Sequence, residues 1–221
     1  MNPDPEALAE AGIQTVIAHF RSAAERAVEA GFRVIEIHAA HGYLLHEFLS
    51  PLSNWRTDRY GGSLKNRTRL LREIAATVRS AIPDDSPLFV RISATDWLPG
   101  GWDLEQSISL ARNLQETGVD LIDVSSGALV PGVTLHAKRG FQVPFAEMIR
   151  KQSGIRTGAV GLIIEPQQAN EIIASGAAEI VSLATEMLRE PYWAHKAYEA
   201  FGREPEWPQP YGYAIKRQKR D

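Results

Sequence analysis

His38, His41 and Tyr43 fall within one short run, Val34-Ile35-Glu36-Ile37-His38-Ala39-Ala40-His41-Gly42-Tyr43, and these three rings could share one piece of chemistry. A neutral imidazole presents one N–H donor. Two such donors converging on one oxygen stabilise negative charge that develops there. A phenol keeps its proton at neutral pH and can deliver it as an acid. The spacing sets a structural condition. In a continuing strand, residues three apart point to opposite faces, whereas in a helical turn they share a side. The strand must therefore stop near His38 and the chain must curl at once, a bend that suits Gly42. Two other uses of the same residues remain open at this point. The imidazoles could be a core pair bonded to backbone carbonyls, or His38, His41, His46 and Glu47 could supply nitrogen and oxygen ligands to zinc. Arg91 is the other conspicuous group. It lies inside Val90-Arg91-Ile92, where an unpaired charge would be costly, and an ion pair with Asp123 or Glu36 is one answer.

The elements that must position these groups alternate. Before the run, Val16, Ile17, Phe20, Ala23, Ala24, Ala27 and Val28 recur at helical spacing, and Gly31 fits a helix C-cap. Strands are expected at residues 33–37, 88–93, 121–125, 157–160 and 179–183, each rich in β-branched residues. A polar loop spans residues 50–62, and Ser63 can cap a helix carrying Leu70, Leu71, Ile74 and Val78 on one stripe. Further helices are expected over residues 104–115, through Phe145, Met148 and Ile149, over 165–174 with Ile172 and Ile173 inward, and over 192–201. The Pro-rich segment after that reads as extended. Strand and helix alternating in this way argue βαβ units with a parallel sheet. A buried strand ending in His-x-x-His-x-Tyr is how an α/β barrel presents chemistry at its C-terminal face. Five strands are fewer than the eight of a closed barrel, and an open doubly wound sheet is the other arrangement they allow.

Composition bounds the function. The chain has 221 residues, 44% of them hydrophobic, which suits one soluble domain over residues 1–221 with no linker dividing it. A net charge of -3 and a pI near 6.1 imply no general attraction to nucleic acid. The basic tail Lys216-Arg217-Gln218-Lys219-Arg220 reads as a solvated terminus. There is no cysteine, so disulfides and thiolate metal sites are excluded. No apolar run approaches the roughly 18 residues that span a membrane, and Met1-Asn2-Pro3-Asp4-Pro5 does not read as a signal peptide, so a cytoplasmic protein is expected.

Longer motifs carry a resemblance. HAAHGYLLHEFLSPLSNWRTDRYGGSLKNRTRLL, LFVRISATDW, DLIDVSSGALVPG, TGAVGLI and LREPYW occur in that order and resemble the old yellow enzyme family, in its branch with two histidines in the substrate motif. The likeness runs from about Ala7 to Trp207. It implies a TIM (β/α)8 barrel of which this chain supplies about strands four to eight. The first three strands, and the early flavin contacts they carry, have no counterpart here. A second polypeptide or a missing segment would complete the barrel, and an oligomer is expected because an isolated arc leaves unpaired edges.

What the resemblance implies for function is equally specific. It implies an FMN-containing, NADPH-dependent ene-reductase acting on small α,β-unsaturated carbonyl compounds. His38 and His41 would hold the substrate carbonyl, and Tyr43 would give a proton to Cα while reduced flavin gives hydride to Cβ. Arg91 would sit at the N1/O2 edge of the flavin ring. Gly161 would contact the phosphate through its backbone. Ala184-Thr185 stands where the family has Gly-Arg. A guanidinium that forks onto phosphate is thereby absent, which is worth about 1.5–3 kcal/mol, or about tenfold to a hundredfold in affinity. The Thr185 hydroxyl keeps one hydrogen bond available there. A flavin-free descendant is the alternative: a binding or scaffold subunit, or a lyase or isomerase using the His pair and Tyr43 alone. Asp58, Tyr60, Gly61, Gly62, Asn66 and Arg67 read as loop-fixing residues. Trp55, Trp97, Trp102, Trp193 and Trp207 read as packing or interface residues.

Overall fold

A computed structural model describes residues 6–133, 135 and 137–215; the start and the basic tail discussed above lie outside the described residues. The element order is α1 (Glu10–Glu29), β1 (Ile35–Ala39), α2 (Leu44–Leu49), α3 (Leu64–Arg67), α4 (Arg69–Arg79), β2 (Leu88–Ser93), α5 (Leu104–Glu116) and β3 (Leu121–Ser125). It continues with α6 (Val143–Ser153), β4 (Arg156–Ala159), α7 (Pro166–Ala174), β5 (Ile180–Val181), α8 (Thr185–Arg189), α9 (Trp193–Ala200), a 3-10 turn at Gln209–Tyr211 and α10 (Gly212–Ile215).

The five strands form one sheet in the order β1-β2-β3-β4-β5, and every pair is parallel. This decides between the two architectures the sequence allows. A doubly wound sheet reverses its strand order at a switch point, whereas here each strand pairs with the next in the chain. Right-handed crossovers in strict succession put successive helices on one side, the arrangement of an arc of a barrel wall. Ile37, Val90, Ile122 and Thr157 share one row of the register and are all buried. In the next row, His38, Arg91, Asp123 and Gly158 lie side by side with Ile180.

The helical stripe expected on α4 is present. Leu70, Leu71, Ile74 and Val78 are buried, and α4 packs against α1 through a core that includes Ile13. Ser63 does cap a helix, its side chain accepting from Asn66 N–H, but that helix is the four-residue α3, and α4 begins after Thr68. Arg67 is buried where α3 ends. It donates to the carbonyls of Leu49 and Gly62 and to Gln106 Oε1 at 2.7 Å, and it lies over the Trp102 ring. Tyr60 is fully buried, with its hydroxyl 2.9 Å from Glu73 Oε2, and a Cβ on Gly61 would overlap the Arg56 carbonyl. These loop residues hold structure, as expected.

Several boundaries differ from the sequence reading, for a common reason. β1 runs over Ile35–Ala39 rather than 33–37 because its ladder starts where Ile35 N–H meets the Pro87 carbonyl, and β2 then pairs it as far as Ile92. β4 starts one residue early, at Arg156, opposite Leu121. β5 shortens to two residues, flanked by single ladder bonds from Glu179 to Thr157 and from Ser182 to Ala159. Strand ends follow partner availability, which apolar content does not report. On α7 Ile172 faces inward together with Ala169, whereas Ile173 is 41% exposed. The helices α2 and α8 and the terminal turn with α10 had no expectation behind them, and the segment from Gln209 is therefore not extended throughout. Of the tryptophans, Trp102 is buried with its Nε1 donating to Ser107 Oγ at 2.7 Å, whereas Trp55 is exposed.

Ile74 lies at the centre of the α4 stripe. Ile74→Ala removes buried methylenes without changing helix propensity adversely, and the expected loss is about 2–5 kcal/mol. A fall in the urea midpoint at unchanged slope checks it.

Candidate active site

The β1 strand carries His38 itself, and the curl comes three residues later. His41 and Gly42 are consecutive left-handed residues, with φ of 60° and 74°. Tyr43 N–H returns to the Ala40 carbonyl at 3.3 Å, and Tyr43 then serves as the N-cap position of α2. The turn brings the three rings together. His38 and His41 lie 5.2 Å apart between ring centroids, and Tyr43 meets His38 edge-on at 5.6 Å. Tyr43 is 66% exposed, and His38 also faces outward.

Two serines anchor His41. Its backbone N–H donates to Ser93 Oγ at 3.0 Å, and its Nε2 lies 2.7 Å from Ser125 Oγ. Ser93 and Ser125 are the last residues of β2 and β3. Ser93 Oγ in turn donates to the Gly127 carbonyl at 2.9 Å, while Ser125 and Ser126 approach Gln142 Oε1 at 3.4 and 2.5 Å. Neither serine nor Gln142 stood out in the sequence. The position of the serines at strand ends in a parallel α/β fold was the signal that could have found them, whereas Gln142 sits at the N-cap of α6.

His46 does not join His38 and His41. It is fully buried; its Nδ1 accepts the Gly42 N–H at 3.0 Å, and its Nε2 donates to Asp96 Oδ1 at 2.9 Å. With both nitrogens engaged, His46 is unavailable to the zinc set considered from the sequence. Among the described residues no group of three or more such side chains could hold a metal ion. Asp96 Oδ2 accepts from Ser50 Oγ and Trp102 N–H, both at 2.6 Å. Burial pushes the Asp96 carboxyl up, but the bonds from His46, Ser50 and Trp102 outweigh it and hold the group below the usual carboxylate range.

The row beside His38 is charged. Arg91 Nε lies 3.4 Å from Asp123 Oδ2, so the ion pair expected with Asp123 exists. It is poorly saturated, because Arg91 Nε and Asp123 Oδ1 are buried with no hydrogen-bond partner among the described residues. Burial raises the pKa of Asp123 against the pull of Arg91. Burial and the Asp123 charge raise that of Glu36, again against Arg91. Burial, then Arg91, lowers the pKa of His38. The same two causes in the same order, followed by His38 and His46, take His41 to about 4. Both imidazoles are therefore neutral at pH 7, each with one N–H.

Beyond the rings, the loops after β4 and β5 leave the same end of the sheet. Gly161 has φ of 115° and accepts from Gly140 N–H at 2.9 Å, and a Cβ there would come to 2.7 Å from Gln142 Nε2. Ala184 precedes the five-residue α8 and Thr185 begins it, both exposed.

Comparison with known proteins matches residues 2–204 to the NADH:flavin oxidoreductase / NADH oxidase family. The chain belongs to that family. It is 52% identical over 198 residues to an NADPH dehydrogenase of Geobacillus sp. (strain WCH70), an alignment covering 90% of this chain and 57% of that protein. Among solved structures it superposes on a complex of 2-naphthoyl-CoA reductase with a TM-score of 0.81 at 28% identity, covering 90% of this chain and 30% of that one. It also superposes on the old yellow enzyme homologue from Zymomonas mobilis, with a TM-score of 0.73 at 26% identity, covering 88% and 54% of the two chains. The likeness to old yellow enzymes and to part of a TIM barrel is thus established. The chain spans less than two thirds of the length of the NADPH dehydrogenase it matches. The expectation of FMN and NADPH agrees with the family and with that relative's name.

The site carries two predictions. Gly42→Ala would set a Cβ 2.5 Å from the Ala128 carbonyl at a left-handed position, and a loss of at least about 1 kcal/mol is expected in denaturant unfolding. For His41, the ordinary imidazole value of 6.5 falls to about 4 on folding. The unfolded chain thus binds the proton more readily, and the His41 contribution is full above pH 6.5 and is lost as pH falls through about 4. An NMR titration of the His41 ring should find it neutral at pH 5.5; a midpoint near 6.5 would contradict the environment described.

Proposed function

We propose that this chain is the catalytic part of an FMN-dependent, NAD(P)H-driven reductase of the C=C bond in α,β-unsaturated carbonyl compounds. The observation that carries the reading is the clustering of His38, His41 and Tyr43 at the C-terminal end of β1, beside the Arg91–Asp123 row. The residues present fit a flavin in one respect. The orphaned Arg91 Nε and Asp123 Oδ1 are polar atoms awaiting a partner. Arg91 would hold the pyrimidine edge, and Gly161 with Ala184 and Thr185 would hold the phosphate. The chemistry FMN would supply is hydride delivery to Cβ.

The chain's own residues do the rest. His38 and His41, both neutral, donate to the substrate carbonyl oxygen and stabilise the enolate-like charge that builds there. Tyr43, exposed at the start of α2 and edge-on to His38, gives its hydroxyl proton to Cα and recovers one from solvent. The proposal includes completion of the barrel. β1 and β5 are the sheet edges, and three further strands from a preceding segment or a second polypeptide would join them. On this reading residues 1–221 are one incomplete domain. An oligomer and a cytoplasmic location belong to the same proposal; among the described residues no helix is long and apolar enough to cross a membrane.

The test takes purified chain, with any co-purifying polypeptide retained, plus FMN, NADPH and 2-cyclohexen-1-one. The expected result is a flavin absorbance band and enone-dependent NADPH oxidation. His38→Ala or His41→Ala should cut kcat about 100-fold or more, since each removes one donor to the developing oxyanion. A chain that stays colourless and inactive with excess FMN overturns the reading and favours the flavin-free alternative, which the missing guanidinium at Thr185 supports. On the same logic, the double substitution Ala184→Gly with Thr185→Arg should tighten FMN binding about tenfold to a hundredfold, read by fluorescence quenching.

A further inference from the structure

We propose that the buried Asp96–His46 pair is the positioning device of the catalytic turn: it fixes the His46 ring with Nδ1 unprotonated, so that the ring accepts the Gly42 N–H and locks the bend from which His41 and Tyr43 project. The inference rests on the proposed function for the purpose of the turn, though not for the lock itself.

The lock follows from counting donors and acceptors. Both side chains are wholly excluded from solvent. The Asp96 carboxylate already accepts from Ser50 Oγ and Trp102 N–H on Oδ2, leaving Oδ1 for His46 Nε2. A carboxylate only accepts, so Nε2 must carry the ring proton and Nδ1 must be the bare nitrogen. Bare Nδ1 is what the Gly42 N–H needs, at 3.0 Å. The bend it holds does not form readily by itself. His41 is a left-handed residue with a Cβ, a conformation such residues avoid, and Gly42 continues it. Outward relief is closed, because the Gly42 Cα faces the Ala128 carbonyl so closely that a Cβ would reach it at 2.5 Å. Two bonds therefore pin consecutive amides of the turn: His41 N–H on Ser93 Oγ, and Gly42 N–H on His46 Nδ1. His46 comes from α2 and Asp96 from the loop after β2, so the pair references the β1 turn to the end of the neighbouring strand. Small displacements of positioning groups carry large rate costs, which gives the arrangement its consequence.

A purely structural staple between α2 and the loop after β2 would also bury this pair, and paired substitutions separate the two roles. Asn at position 46 keeps a side-chain acceptor near the Nδ1 site but cannot reach Asp96. Gln keeps a donor near the Nε2 site but offers Gly42 no acceptor. In Asp96→Asn, the remaining oxygen best serves Ser50 and Trp102, and the amide then faces His46 Nε2, driving the proton to Nδ1 against the Gly42 N–H.

The experiment uses the 15N-labelled full chain, reading the His46 tautomer by long-range 1H–15N correlation and the Gly42 amide by hydrogen exchange. Wild type is expected in the Nε2–H form with a protected Gly42 amide. His46→Gln and Asp96→Asn should speed that exchange at least about tenfold, while His46→Asn keeps it near wild type. In enone turnover, His46→Gln should lower kcat about tenfold to a hundredfold with KM for NADPH unchanged. An Nδ1–H ring in wild type overturns the proposal even if a variant fails to fold, as does equal Gly42 exchange in His46→Gln and His46→Asn. The ring and amide readouts need neither flavin nor enone. Their failure therefore rejects the lock alone, and a wild-type chain without enone reduction rejects the function alone.

Discussion

Parallel pairing in strict chain order is the constraint from which the site follows. Because β1 to β5 each pair with the next, their C-terminal ends, Ala39, Ser93, Ser125, Ala159 and Val181, stand in a row. Most groups discussed as functional hang from that row or from the loop just beyond it, and Arg91 and Asp123 lie two residues before it. His38 lies near the end of β1 and the turn follows it, Ser93 ends β2 and Asp96 follows, Ser125 ends β3 and Gln142 comes after its loop, Gly161 follows β4, and Ala184-Thr185 follows β5. An antiparallel neighbour would have sent half of them to the other end of the sheet. The helices supply the apolar cover that makes such a sheet stable, and the strand ends are left free to carry polar residues.

Two buried carboxylates show what that freedom costs and how it is used. Asp96 is saturated by three donors, and its pKa stays low despite burial. Asp123 has one imperfect ion pair and an orphaned oxygen, and its pKa rises. A satisfied buried carboxylate rigidifies its surroundings, and an unsatisfied one in a strand row is a place for something else to bind. The contrast sets Asp96, saturated within the fold, apart from Asp123, which keeps an unpartnered oxygen.

Much of this was legible in the residues. Three of the five strands were located within a residue, because alternating β-branched runs framed by Pro and Gly leave little choice. The His38–His41–Tyr43 grouping followed from spacing, since only a stopped strand and a curl can bring i and i+3 together. What could not be read is what depends on partners. The shift of β1 to Ile35–Ala39 is set by Pro87, just before the next strand, and the shortness of β5 by the end of β4. His46 looked like a potential ligand because nothing local reveals that Asp96, fifty residues away, claims its Nε2. The left-handed φ of His41 is likewise a tertiary outcome, held by Ser93 and tolerated because two backbone bonds offset its strain.

Arg91 links the electrostatics of the turn to its chemistry. Its charge, after burial, is what depresses both site imidazoles, so each keeps one N–H and one lone pair across the neutral range. For His41 the division of roles is then constrained by Ser125, whose hydroxyl sits 2.7 Å from Nε2. The better acceptor in that neighbourhood is already taken, since Ser126 Oγ fills Gln142 Oε1 at 2.5 Å while Ser125 reaches it only at 3.4 Å. The Ser125 proton is therefore best spent on His41 Nε2, which leaves Nδ1 as the nitrogen carrying hydrogen. A protonated imidazole would surrender this arrangement, because Nε2 could no longer accept. Neutrality of His41 is thus a condition of the geometry, and its burial together with the nearby Arg91 guanidinium favours it.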